Sequence, residues 1–436
     1  MDRVISGRAW VKGRLQPVDI AIDGEGRIQR IGRDLRATHR QDFGDRIILP
    51  SAVDLHVHFR DPGPPEAAEE FATGTLQAAL GGVALVADMP NTAPPVVSPA
   101  VLEEKAARAR GRLAVDTLLY AAALDARQIR RAAGLAGAFK LYLAPTTGIE
   151  SPPAPSAIPG ILDSVARTGL ALSVHAEDPA AMRSGIDSRD PRSWNAARPI
   201  QAEVDGVARL RPVPASLRLH IAHVTSAEVA RRLRQDGVSF EATPHHLLLN
   251  DTSGSDPRFK VNPPLRTERE RAALWTAFAA GEVPCVASDH APHPGASKEL
   301  PFALAPSGVP GVETLLPLFL DRVRAGDLSL ETLLRAACHR PALWLGVPQG
   351  RLAAGLRAHL VVVDFRQRRR IRSSELHAPC GWSPFEGFEG IFPTDHFLDG
   401  AAIVEGGEYV GTPRGRILRP EYAPRPSTAP ESSKAL

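Results

Sequence analysis

The chain has 436 residues, a formal net charge of +3, 43% hydrophobic residues and 23% charged residues, which fits a globular protein with one large domain and an accessory one. A +3 excess over this length is too thin for a strong phosphate-binding field, which argues against nucleic acid, and no window approaches the roughly 18 apolar residues of a membrane helix. The start, MDRVISGRAW, lacks a signal peptide's apolar core, and Cys285, Cys338 and Cys380 are far apart and odd in number. No disulfide framework or cysteine zinc knuckle is expected, and the reducing cytoplasm is the expected location.

The first segment, VISGRAWVKGRLQPVDIAIDGEGRIQRIG, alternates in short runs punctuated by glycine, which predicts a small antiparallel sheet. The middle of the chain alternates apolar runs of strand length, at 47–55, 83–87, 114–120, 138–143, 170–174, 217–222, 238–242 and 283–287, with Ala- and Arg-rich helical stretches such as 100–110, 226–235 and 267–280. Roughly eight β-then-α units predict a (β/α)8 barrel over 49–345. A doubly wound open sheet is the rival, but no GxGxxG turn or Walker loop follows any run. After a helical pattern at 330–345, RAHLVVVDF, GAAIVEGGEYV and GRILRP return to strand texture. Residues 1–48 and 346–423 are therefore expected to form one accessory β-sandwich from both termini. The Pro/Ser-rich stretch 424–436 reads as a disordered tail.

The barrel runs end on residues that can bind metal. Asp54, His56 and His58 stand at i, i+2 and i+4 of the first run, where strand side chains share a face. Two histidines on one face make half a metal site, although the HxH spacing alone equally suits a solvated pair. His175 closes LALSVH, His223 closes LRLHIAH and Asp289 closes VPCVASD, so separate runs deliver ligand-type residues to the barrel face where such enzymes keep their chemistry. His220, inside its run, reads as a core histidine or a support to the ligands. Imidazoles and carboxylates without cysteine suit a catalytic zinc-type site rather than a structural one.

Lys140 stands inside the fourth run, GAFKLYLAP. Only six of the 52 basic residues are lysines, namely Lys12, Lys105, Lys140, Lys260, Lys298 and Lys434. Arginine has replaced lysine wherever charge alone suffices, so a lysine in a buried-looking segment raises the question of its amine. A surface lysine with a snorkelling chain is the alternative. A primary amine can add carbon dioxide and become an anionic bidentate carbamate; a guanidinium cannot.

DLHVHFRDPG, the segment from GG to MPNTAPP at 81–95, FKLYLAPTTG, VHAED, AHVTS, TPHHLLLN, KVNPPLR, ASDHAPH and SGVPGVETLLPL occur in this order, and together they resemble the dihydroorotase family, within the cyclic amidohydrolases of the amidohydrolase superfamily. The resemblance implies that His56, His58 and Asp289 bind one zinc and His175 and His223 a second, with carboxylated Lys140 and a hydroxide bridging the two Zn2+ ions. It implies that Arg60, Asn91 and His293 hold the substrate carboxylate, that Asn262 contacts the ring, that Thr146 lies on a loop closing over the substrate, and that Asp289 moves the proton. Asp61 stands where glutamate is commoner. Glu241, His245 and His246 fall in a motif whose role stays open.

The implied activity is the reversible, zinc-dependent cyclisation of N-carbamoyl-L-aspartate to L-dihydroorotate in pyrimidine biosynthesis. The alternatives are an allantoinase- or hydantoinase-like enzyme and an inactive structural partner of aspartate carbamoyltransferase. The expected partner is a small-molecule substrate, with a homodimer and an association with aspartate carbamoyltransferase left open.

Overall fold

The computed structural model describes residues 3–63 and 69–420; the tail expected at 424–436 lies outside the described residues. Eight parallel strands form a nearly closed barrel in sequence order: Ala52–Val57, Val83–Asp88, Asp116–Ala122, Ala138–Tyr142, Ala171–His175, Arg218–Ile221, Ser239–Ala242 and Cys285–Val286. Closure comes from the chain just beyond the eighth strand, where His290 bridges Val57 and its carbonyl accepts from the His58 N–H at 2.7 Å. The expected (β/α)8 architecture is therefore the observed one. The first six residues of the barrel sheet are all buried, as are those of the second strand, which is why these runs read as continuous apolar stretches rather than alternating ones.

Helix ends follow local chemistry. Ser226 accepts from the Glu228 N–H ahead of Ala227–Gln235, Thr267 from the Glu270 N–H ahead of Glu268–Ala279, and Ser98 from the Val101 N–H ahead of Pro99–Ala109. Each satisfies a donor that the first helical turn leaves without a partner. Gly74, in the helix Phe71–Leu80, allows close packing against the chain leaving the first barrel strand: a Cβ there would meet the Phe59 ring at 2.3 Å.

A second sheet of eight strands joins both termini. Its order is Glu408–Tyr409, Ala401–Glu405, Asp395–Leu398, Leu360–Val363, His39–Pro50, Arg3–Val11, Arg14–Ile22 and Ile28–Gly32. The halves meet where Leu360–Val363 runs antiparallel to His39–Pro50. The apolar run 47–55 is two strands rather than one: residues up to Pro50 belong to this sheet, and the barrel begins at Ala52. Both sides of that junction are buried, so hydrophobicity alone does not mark the break.

Two later segments attach to the barrel. Ile417–Leu418 pairs in parallel with the third barrel strand. Ile371, Trp382 and Phe385 pack with Leu249, Val261, Leu265 and Val309 beside the barrel mouth. Among the described residues no helix is long and apolar enough to cross a membrane.

Candidate metal centre and substrate pocket

The carboxyl ends of the barrel strands surround a cavity of about 100 Å³ lined by His56, His58, His175, His223 and Asp289, together with Arg60, Asn91, Tyr142, Thr146 and Asn262. The candidate ligand residues come from the first, fifth, sixth and eighth strands or the turns that leave them. Three of the residues around this cavity, Arg60, His223 and Asp289, have φ of +57°, +39° and +48°. Left-handed backbone is costly for side chains of this size and concentrates at functional sites, where the turn aims a side chain inward.

The hydrogen bonds fix which ring nitrogens face the cavity. His56 donates from Nδ1 to Glu241 Oε1 at 2.6 Å, and His58 donates from Nδ1 to Asn91 Oδ1 at 2.6 Å. Both Nε2 lone pairs are thereby free, and they stand 3.1 Å from each other and 3.2 and 3.1 Å from Asp289 Oδ1. Three acceptor-type atoms converging at this distance repel one another unless a cation lies among them. Burial, reinforced by the Lys140 charge, pulls His56 down to about 4, and burial places His58 well below its ordinary value. Neutral imidazoles are the form that binds metal. The potential ligand atoms of His56, His223 and Asp289 lie within 4.8 Å of one another, a group that can hold a metal ion.

The second pair is built alike. His175 Nε2 lies 2.9 Å from Glu177 Oε2, which leaves His175 Nδ1 facing His223 Nε2 at 2.9 Å. Each half of the site therefore has one imidazole beside a buried glutamate, hydrogen-bonded at His56 and within ion-pair distance at His175; a carboxylate so placed orients a ligand ring and raises its basicity. Burial works to raise the Glu177 carboxyl, but Arg198, bonded at 3.1 and 2.6 Å, and His175 hold it below its ordinary range. Burial likewise opposes ionisation of Glu241, which His56 and His220 overcome. His220 donates to Glu241 Oε2 at 3.1 Å while its other nitrogen meets Ser239 Oγ at 2.9 Å.

Lys140 is fully buried in the fourth strand. Its Nζ reaches Ser173 Oγ at 3.4 Å and lies 5.4 Å above the Tyr142 ring. Burial lowers the ammonium to about 8, against the pull of Glu241 and Asp289.

The expected substrate contacts divide. Arg60, Asn91, Thr146 and Asn262 line the cavity. His293 stands behind its wall, where Nε2 donates to the Ser307 carbonyl at 2.9 Å. Asp61 points away from the site and is held by Arg108 at 2.7 Å and Arg112 at 3.2 Å. Sequence reasoning passed over Glu177 and left Glu241 without a role. A signal was present for both: Glu177 is two residues from His175, and Glu241 is a carboxylate in the middle of a strand-length run.

Replacing Glu241 with alanine is expected to weaken metal binding by about 10- to 100-fold, the usual effect of removing a carboxylate that orients a ligand histidine. Metal content after dialysis against graded chelator measures it; unchanged retention would deny Glu241 that role.

A parallel barrel with imidazole and carboxylate groups converging at its carboxyl end defines a metal-dependent hydrolase. The chain belongs to the amidohydrolase family: the model of the Amidohydrolase family matches residues 47–388. The dihydroorotase of Halobacterium salinarum is 38% identical over 428 residues, covering 96% of this chain and 100% of that protein. The dihydroorotase of Thermoplasma volcanium is 31% identical over 427 residues, covering 97% and 99%. Among solved structures, the L-hydantoinase (dihydropyrimidinase) from Arthrobacter aurescens superposes with a TM-score of 0.89 at 26% identity, covering 95% of this chain and 99% of that one. The dihydropyrimidinase from Brevibacillus agri gives 0.87 at 26% identity, with 96% and 99% covered.

Proposed function

We propose that this protein is a dihydroorotase, interconverting N-carbamoyl-L-aspartate and L-dihydroorotate in pyrimidine biosynthesis. The observation that carries the choice among cyclic amides is Arg60. Its guanidinium is buried against the cavity, bonds the Asn91 carbonyl at 3.3 Å, and among the described residues its Nε has no partner. A planar fork with unused donors suits a carboxylate, which dihydroorotate has and neutral hydantoin and allantoin lack.

Two zinc ions would be held here, one by His56, His58 and Asp289 and the other by His175 and His223, and Lys140, as a carbamate, would supply an anionic ligand to both. Bound metal supplies a water whose pKa falls from about 15.7 toward about 7 and polarises the ring carbonyl. Arg60 and Asn91 hold the substrate carboxylate, His293 acts from behind the wall through the Ser307 carbonyl, and Asn262 contacts the ring. Thr146, whose N–H and carbonyl pair with Ile149 in a tight turn, covers the substrate. Asp289 takes the proton of the attacking water and passes it to the ring nitrogen as the C–N bond breaks. The reverse sequence closes the ring.

A cytoplasmic location is part of this proposal, supported by the free thiols Cys285, Cys338 and Cys380. Sedimentation of the protein alone and mixed with aspartate carbamoyltransferase tests for a homodimer and for association with that enzyme.

The deciding assay offers L-dihydroorotate, allantoin and hydantoin side by side to zinc-loaded and metal-stripped protein. Metal-dependent turnover confined to dihydroorotate is expected. Turnover of the neutral rings would move the protein to the hydantoinase activities its solved neighbours carry, and silence on all three with metal bound would leave a structural partner.

A further inference from the structure

Among the five lysines of the described residues, four are buried: Lys105, Lys140, Lys260 and Lys298. In a chain that otherwise uses arginine, the last two share a task. Residues 302–308 form neither helix nor strand, so their inward carbonyls need partners from elsewhere. Lys260 Nζ donates to the carbonyls of Phe302, Ala303 and Ala305 at 2.7, 3.0 and 2.8 Å. Lys298 Nζ donates to those of Pro306 and Pro257 at 2.8 and 3.0 Å. His293 takes the Ser307 carbonyl, and the Gly308 N–H donates to the Lys260 carbonyl at 2.9 Å.

The segment ends at the pocket, where Ser307 and Gly308 line the same cavity as His56, His58, His175 and His223. Gly308 has φ of +135°, and a Cβ on it would stand 2.6 Å from the Ala291 carbonyl, so the wall packs closely against Ala291 and has no place for a side chain at this position. A compact ammonium can send three donors to carbonyls on different peptide planes, whereas a guanidinium directs its donors within one plane. That difference accounts for lysine at both places.

We infer that Lys260 and Lys298 are positioning residues that fasten the pocket wall formed by Ser307 and Gly308, and through it set the affinity for substrate without taking part in the chemistry. The inference rests on the reading of this cavity as the dihydroorotate site.

The test compares the zinc-loaded full chain with Lys260→Met, Lys260→Arg and Lys298→Met. Each variant is expected to raise KM for dihydroorotate by about tenfold or more, to hold kcat within about threefold and to retain its metal; Lys260→Arg should not restore KM. Amide hydrogen exchange should quicken at residues 299–309 and stay as in the parent elsewhere. Unchanged KM, or exchange that quickens throughout the chain with loss of metal, overturns the inference. If Lys260→Met does not fold, Lys298→Met, which releases only two carbonyls, decides the matter by the same readings. Absence of dihydroorotate turnover in the parent protein would instead fail the reading of the site, which separates the two outcomes.

Discussion

Replacing Lys140 with alanine is expected to lower kcat by about 10³-fold or more, equivalent to about 4 kcal/mol of transition-state stabilisation. The reason lies in where the amine stands. It is fully buried, and its hydrogen-bonding contact is a hydroxyl at 3.4 Å rather than a carboxylate. An ammonium left in that position would be poorly compensated, and burial already brings it to about 8, within reach of the neutral amine that reacts with carbon dioxide. The ammonium first gives up a proton; addition of carbon dioxide to the neutral amine then forms an N–C bond and releases a second proton, so that a buried cation becomes an anion beside His56 and Asp289. The alanine variant should therefore lose metal as well as activity, and acetate or propionate at high concentration should restore part of both by occupying the vacated space. Lys140→Arg keeps the charge but cannot form a carbamate, and it should be as inactive as the alanine variant and refractory to rescue. Full activity of either variant in buffer freed of carbon dioxide would sink the carbamate role.

Much of the barrel was legible because its strands are buried on both faces. Each expected run from 83–87 onward corresponds to an observed strand, since nothing but a buried parallel strand puts so many apolar residues between helical stretches. The exception, 47–55, shows the limit of that signal. Two strands in different sheets share one apolar run there, and only hydrogen-bond partners distinguish them.

The site was legible for a related reason: His56, His175, His223 and Asp289 end runs of known direction, so their convergence follows from topology. What escaped was the layer behind them. Whether Glu241 backs His56 or faces solvent depends on a 2.6 Å contact between residues 185 positions apart, and no local pattern encodes that distance. His293 fell behind the wall for the same reason, because its partner is the carbonyl of an irregular segment. The arginine bias, in contrast, carried more than expected: it marked Lys140 and, with it, the buried amines of Lys260 and Lys298.

Replacing Arg60 with methionine is expected to raise KM for dihydroorotate by about 10- to 100-fold, the worth of a charge-assisted hydrogen bond of roughly 1.5–3 kcal/mol, with metal content unchanged. Methionine keeps much of the side chain's length and apolar volume, so the cavity wall should survive the change. The guanidinium pays for its place with lowered basicity through burial and with a backbone φ of +57°; an anion in the cavity offsets both. Its neighbour His58 is held by Asn91 rather than by Arg60, so the ligand set does not need the guanidinium. KM measured with and without added zinc, beside metal analysis of the same sample, separates the two possibilities. Loss of metal with the loss of affinity would mean that Arg60 supports the turn carrying His58, and the substrate carboxylate would then have to be held by other residues of the pocket.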